Sequence, residues 1–272
     1  MTDAETLFEL TNISAAYQVE PVLRNITWHF QRDQQWAVIG GNSSGKTSLA
    51  HLLTDRLRPQ RGKIFRHSDL LPEKNISHIS FDLQQQLIDH DKRFDDSEVR
   101  EDAFDKGTTV RDIILQGRTE SSQFNTLVEQ CGIAHILHRG IRFISTGESR
   151  KTLLARALYQ QTSLLIIDNP FEGLDRHSQH DLRRLIEQLL RGDLPILLLL
   201  QQVQDLPDQV DHILWLDKGC IKACGKRASV LEAFQQQTRQ QAQRLILPPP
   251  LSRTYRVDKH QPLLELHGVN VS

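Results

Sequence analysis

No stretch of this 272-residue chain is apolar for long enough to cross a bilayer. The longest apolar run, ILLLL at Ile196 to Leu200, has 5 residues, where a spanning helix takes about 20. A membrane domain is therefore not expected. The opening MTDAETLFEL is acidic and lacks the basic-then-apolar pattern of a secretory leader, so the chain is expected to stay in the cytosol. Cysteine is scarce. Of the 3 present, Cys220 and Cys224 lie close together, but no further Cys or His pair has the spacing to complete a tetrahedral site. Reduced thiols are expected, and no zinc. An excess of charge is missing too. Lys and Arg number 33 against 34 Asp and Glu, for a net charge of −1, so there is no chain-wide electrostatic footprint for nucleic acid and no clear nucleic-acid site.

What is present is an ordinary globular composition, 38% hydrophobic and 25% charged, in a chain longer than one hydrophobic core usually spans. LFELTNISAAY and VLRNITWHF alternate as half-buried strands do and predict an antiparallel β part at the start. WAVIG is a short continuous apolar run of the kind buried on both faces of a sheet. A Gly/Ser-rich loop and the helical pattern KTSLAHLLTDRL follow it. SLLIID and PILLLL repeat the buried-strand signal on either side of a helical stretch, as in βαβ units. The expected class is α/β, with a mainly parallel core sheet and a helical subdomain over about 82–160. Within that subdomain, residues 83–110 turn polar and acidic and read as a solvated, mobile insertion, while SRKTLLARALYQQ reads as the clearest amphipathic helix.

Beyond a Gln-rich helical segment, LPPPLSRTYRVDKHQP predicts an extended linker at 246–262. The last residues, LLELHGVNVS, resemble the opening LFELTNISAAY, with Leu263 matching Leu7. The expectation is one nucleotide-binding domain over 1–245, a linker, and at 263–272 the start of a second copy.

The chemistry concentrates in two stretches. GGNSSGKT, Gly40 to Thr47, fits G-x-x-x-x-G-K-[ST], the phosphate-binding loop. Its glycines let backbone N–H groups curl around phosphate, Lys46 reaches the β/γ oxygens, and the Thr47 hydroxyl suits Mg²⁺. The ATP-binding set is Gly40, Gly41, Asn42, Ser43, Ser44, Gly45, Lys46, Thr47 and Ser48. LLIIDNP then ends a buried strand at Asp168 and brings a carboxylate to the same Mg²⁺.

These elements resemble those of ATP-binding cassette (ABC) proteins. ISTGES at Ile144 to Ser149, just before a helix, resembles the family's LSGGQ signature. Ser145 and Gly147 keep the pattern, and Thr146 and Glu148 depart from it. EGLD, ending at Asp175, resembles the D-loop, and Tyr17 falls where the family stacks an aromatic ring on adenine. The resemblance runs up to the linker, and STGESRKTLLARAL with DNPFEGLD narrows it to the tandem ModF or photorepair group, linked by name to molybdate transport. It implies ATP and Mg²⁺ as ligands and two cassettes that sandwich two nucleotides, each held by the phosphate loop of one cassette and the signature of the other. The implied partners are a second cassette of the same chain and a membrane permease, with a location peripheral to the inner face of the cell membrane. A fragment with one cassette is expected to form at most an ATP-dependent homodimer.

Three positions depart from the family. Asn169 stands where the catalytic glutamate would polarise water, and an amide cannot take up a proton at neutral pH. Gln201, or Gln202, replaces the switch histidine, and Phe81 stands at the Q-loop position with Gln84 to Gln86 a few residues on. The resemblance thus implies a site that binds Mg²⁺–ATP and hydrolyses it weakly. Three function classes stay open: a transport ATPase, a soluble ATPase in repair, translation or regulation, and a nucleotide sensor without turnover.

Overall fold

A computed structural model describes residues 5–70, 75–93 and 107–244 of the chain. The expected linker and second opening strand, and residues 94–106 of the acidic stretch, lie outside the described residues. The described residues divide into two units, with the boundary between Ala233 and Phe234.

In the first unit, β1 (Thr6–Ala16) pairs antiparallel with β2 (Pro21–Gln31), setting Phe8 opposite Phe30 and Leu10 opposite Trp28. The register slips between Leu10 and Ile13, where Asn12 sits at φ 52, and again between Ile13 and Ala15, where Asn25 on β2 sits at φ 50. Asparagine tolerates that left-handed backbone better than most residues, so both slips fall where the sequence can accommodate them. A third strand, β4 (Pro59–Arg66), closes the other edge of β1. Its side chains are mostly exposed, so it carries no alternation for a sequence reading to detect.

The six-stranded sheet runs β5 (Ile76–Ile79), β6 (Leu164–Asp168), β7 (Ile196–Leu200), β3 (Trp36–Ile39), β8 (His212–Asp217) and β9 (Cys220–Lys226), with only β9 antiparallel to its neighbour. Every residue of β3, β6 and β7 is buried, as their continuous apolar runs predict. One apolar cluster joins Leu10 and Trp28 of the small sheet, Leu49 and Leu52 of α1 (Lys46–Leu53), and Val38 and Leu199 of the large sheet. The register matters most for function. Ile39 lies beside Leu200 and Asp168 beside Leu199, so the residues following β3, β6 and β7 emerge together at one sheet edge.

The region expected to be helical contains α2 (Phe81–Arg93), α3 (Val110–Leu115), α4 (Ser122–Gln130) and α5 (Thr146–Tyr159). Two sequence expectations change here. The start of the polar stretch is not a solvated insertion: it is helix α2, with Gln84 and Asp91 buried. Asp91 accepts from the Thr108 N–H at 2.6 Å and pairs with Arg142 at 2.8 Å, so its charge is compensated inside the fold. Gly107 is required there, because a Cβ would lie 2.2 Å from the Asp91 carboxylate. Second, α5 is not a one-stripe amphipathic helix. Ser149, Arg150 and Thr152 are buried along with Leu153, Leu154 and Ala155, so the helix is enclosed on most sides. The helices α6 (Arg176–Leu189) and α7 (Arg227–Arg244) complete the described chain. In the second unit the described residues are the last turns of α7, where the Thr238 hydroxyl donates to the Phe234 carbonyl at 2.9 Å.

Candidate nucleotide site

The loop between β3 and α1 is shaped by backbone constraints. A Cβ at Gly40 would lie 2.4 Å from the Leu216 carbonyl, so no side chain fits there. Ser43 and Gly45 take φ 60 and 104, and Gly45 starts α1 with no side-chain cap. The first-turn N–H groups of α1 therefore have no side-chain acceptor, and a loop of this kind suits an anion. Gly41, Asn42 and Ser43 are exposed at its rim, Ser48 is half-buried, and Ser44 is buried with its hydroxyl unpartnered.

Lys46 is buried, and its ammonium donates to the carbonyls of Gly40 at 2.7 Å and Gly41 at 3.0 Å. Two of its three N–H groups are thus used by the loop itself. Burial pulls the lysine below its ordinary pKa, against the opposing pull of Asp168 and Glu172. Thr47 donates its hydroxyl to Asp168 Oδ2 at 2.7 Å. The other carboxylate oxygen of Asp168, Oδ1, is buried without a hydrogen-bond partner. A hard divalent cation takes oxygen donors of this kind, and an orphaned carboxylate oxygen beside a hydroxyl fits Mg²⁺.

Asn169 follows at φ 46, in the left-handed region, with its side-chain carbonyl buried and unpartnered. Gln201 donates its amide to Glu172 Oε2 at 3.2 Å, while Gln202 accepts from Gln204 at 2.6 Å. Of the two glutamines left open by the sequence, Gln201 is the one tied to the loop after β6. Phe81 opens α2, and Gln84 is buried in that helix with its carbonyl oxygen unpartnered. Tyr17 is 54% exposed, and its hydroxyl sits 2.6 Å from His51 Nδ1 on α1.

The signature-like segment forms the start of α5. Ser145 caps the helix by accepting from the Glu148 N–H at 3.2 Å, and Glu148 accepts from the Ser145 N–H at 2.7 Å, a reciprocal capping box. Glu148, which departs from the family pattern, thus has a local structural role. Burial raises its pKa, but the hydrogen bonds from Ser145 and the pairing with His135 outweigh that and hold it below the ordinary value. Ser145 is exposed, Thr146 half-buried, and Gly147 buried where a Cβ would meet the Ser178 side chain at 3.0 Å. Asp175 caps α6 through the His177 and Ser178 N–H groups at 2.9 and 3.0 Å. The Ser178 hydrogen bonds come first among the causes that depress its pKa.

Two residues at the site, His78 and Arg150, escaped the sequence reading, and a third, Glu172, was read only as the first residue of the D-loop-like EGLD. His78 on β5 is buried with its Nε2 3.9 Å from Asp168, and neither ring nitrogen has a hydrogen-bond partner. Arg150 is buried and donates to the carbonyls of Asn169 at 3.2 Å, Pro170, and Glu172 at 2.5 Å, holding the loop after β6 from the side of α5. Glu172 lines a cavity of about 250 Å³ with Asn169 and Gln201. A lone charge in a helical pattern gives no sign that it is buried, which is why Arg150 was invisible.

The chain matches the ABC transporter family over residues 23–172. It is 31% identical over 200 residues to the ABC transporter ATP-binding protein ModF of Escherichia coli, covering 72% of this chain and 39% of that one. It is 30% identical over 193 residues to the molybdenum import ATP-binding protein ModC of Pectobacterium atrosepticum, covering 70% and 52%. A zinc import ATP-binding protein, ZnuC of Alkalilimnicola ehrlichii, is 28% identical over 228 residues, covering 84% and 80%. The chain therefore spans only 39% of ModF and 52% of ModC. Among solved structures, CbiO1 of Clostridium perfringens, part of the ABC transporter complex CbiONQ, superposes with a TM-score of 0.66 at 18% identity, covering 89% of this chain and 96% of that one. Among the described residues, no helix is long and apolar enough to cross a membrane. With a family match over residues 23–172, more than half of its length, the chain belongs to the ABC transporter family of ATP-binding domains.

Proposed function

We propose that the chain binds Mg²⁺–ATP at the edge formed by β3, β6 and β7, and that it is the first cassette of a tandem ATPase. The observation that carries the binding reading is the contact between Thr47 and Asp168, beside an unpartnered buried carboxylate oxygen. In this reading Gly40 to Ser48 and Lys46 hold the phosphates, Tyr17 meets the adenine, and Thr47 and Asp168 hold Mg²⁺. Ser145, Thr146, Gly147 and Glu148 serve a facing site, and Asp175 belongs to the loop between the two sites. Mg²⁺ supplies charge neutralisation for the phosphates, while the protein's own residues orient them and exclude water. Hydrolysis at this site is weak compared with one whose strand-end carboxylate is in place, because Asn169 itself cannot take the water's proton and Gln201 carries no charge to the phosphate.

The tandem arrangement rests on the match of Leu263 to Leu7 across a Pro-rich stretch, and on the small share of ModF that the chain spans. The cargo, if the protein serves a membrane permease at the inner face of the cell membrane, is molybdate, a reading supported by the likeness to ModF and ModC. A second reading, a soluble ATPase outside transport, is favoured by one observation: Phe81 stands at the Q-loop position, and the nearby Gln84 is buried within α2. Nucleotide titration with and without Mg²⁺ tests binding. Purification of the full-length protein from solubilised membranes separates the two readings. A stoichiometric permease supports transport, and its absence together with full ATPase activity supports the second reading.

A further inference from the structure

With Asn169 in place of a carboxylate, the proton of an attacking water needs another acceptor. Among the described residues, most acidic side chains at this end of the sheet are already engaged. Asp168 receives the Thr47 hydroxyl, Asp175 caps α6, Asp205 is paired with Arg183 at 3.2 Å, and Glu148 closes the capping box of α5. Glu172 differs from them. It lies three residues beyond Asn169 on the loop that Arg150 clasps, and it shares with Asn169 and Gln201 the cavity of about 250 Å³ that opens at the ends of β6 and β7. Its carboxylate is oriented by the Gln201 amide at 3.2 Å. Its charge, after that of Asp168, opposes the lowering of the buried Lys46's pKa.

We infer that Glu172, oriented by Gln201, is the general base for ATP hydrolysis at this site, in place of the carboxylate missing at Asn169. The inference rests on the reading of the loop as an Mg²⁺–ATP site. In the step, the water oxygen bonds to the γ-phosphorus while Glu172 accepts the water's proton. The bond from that phosphorus to the β,γ-bridging oxygen breaks, and its electron pair leaves with ADP. Inorganic phosphate is the second product, and the proton passes from Glu172 to solvent. Gln201 thereby has a role that a charged histidine would serve differently: a neutral amide N–H orients a carboxylate while leaving one of its oxygens free to take a proton.

The test is single-turnover hydrolysis of γ-labelled ATP by the full-length protein, with the lysine of any second phosphate loop replaced so that only this site reports. Glu172→Gln keeps the side-chain volume and a hydrogen bond with Gln201 but cannot accept a proton, so a purely structural role would survive it. The expected result is a fall in rate on the order of 10²-fold, with ATP affinity unchanged within about twofold. Glu172→Asp, folded as judged by circular dichroism, is expected to retain more activity than the Gln variant. A Gln variant within about twofold of the parent, or equal losses in the Asp and Gln variants, overturns the inference. A parent that binds ATP without hydrolysing it overturns the inference and leaves the binding reading standing. A parent that binds no ATP removes the reading itself.

Discussion

Thr47, at the start of α1, and Asp168, at the end of β6, meet through a 2.7 Å hydrogen bond across 121 residues of sequence. Neither motif alone requires that meeting. It follows from the strand order, which places the ends of β3 and β6 on either side of β7. Asp168→Asn keeps an acceptor for Thr47 and removes the charge. Thermal melting without metal is expected to stay within about 1 kcal/mol of the parent, roughly 2–4 °C for a chain of this size. The further rise in Tm given by Mg²⁺–ATP is expected to vanish. A variant still stabilised by Mg²⁺ beyond the effect of ATP alone would remove Asp168 from the metal site.

Lys46 spends two of its three N–H groups on Gly40 and Gly41. The third is left for a phosphate oxygen, so Lys46→Ala is expected to weaken Mg²⁺–ATP affinity at least tenfold, about 1.4 kcal/mol. Titration with a fluorescent ATP analogue checks it, and an unchanged curve rejects the assignment.

Asn169 combines a chemical loss with a backbone fit. Its φ of 46 is tolerated by asparagine and resisted by glutamate. Asn169→Glu is therefore expected to cost ~1 kcal/mol of stability while raising hydrolysis at this site by up to ~10²-fold. In that background Glu172→Gln should cost far less than in the parent, since a second base is present. Equal effects of Glu172→Gln in both backgrounds would show that the two positions do not share a task.

Arg150 donates to three backbone carbonyls from a buried position. Arg150→Met removes those donors and leaves the acceptors unpaired, an expected loss of ~2–4 kcal/mol in urea unfolding. A loss below ~0.5 kcal/mol would mean that water or a rearranged loop replaces the guanidinium.

Glu148 gives a pH test. Its folded pKa lies below the ordinary 4.5, so its ionised form contributes stability that is fully present above that value and is lost as pH falls through the folded pKa. The gap in Tm between the parent and Glu148→Ala is expected to narrow as pH drops below about 4.5. A gap constant down to the acid transition would show that the carboxylate's charge contributes nothing.

The parallel core was legible because WAVIG, LLIID and ILLLL are continuous apolar runs, and burial on both faces demands that pattern. The tight turn between β3 and α1 was legible because Gly40 and Gly45 answer local backbone demands. What the sequence hid depends on contacts between distant segments. β4 exposes most of its side chains and so has no hydrophobic period. The polar stretch concealed α2 because the charge of Asp91 is compensated by Arg142, some 50 residues away. Glu172 and Gln201 meet only because β6 and β7 are neighbours in register.

Helix α5 is capped by Ser145 and, five residues on, carries Arg150 fastened to the loop that bears Asn169 and Glu172. At 1.5 Å per residue these points are about 8 Å apart along a single rigid rod. If the start of that rod touches a nucleotide on a facing cassette, as proposed above, a tilt of the rod drags the hydrolytic loop of its own cassette with it. The protein would then work as a rocker: occupancy on one side sets the pitch of the machinery on the other, through one helix and the hydrogen bonds of Arg150.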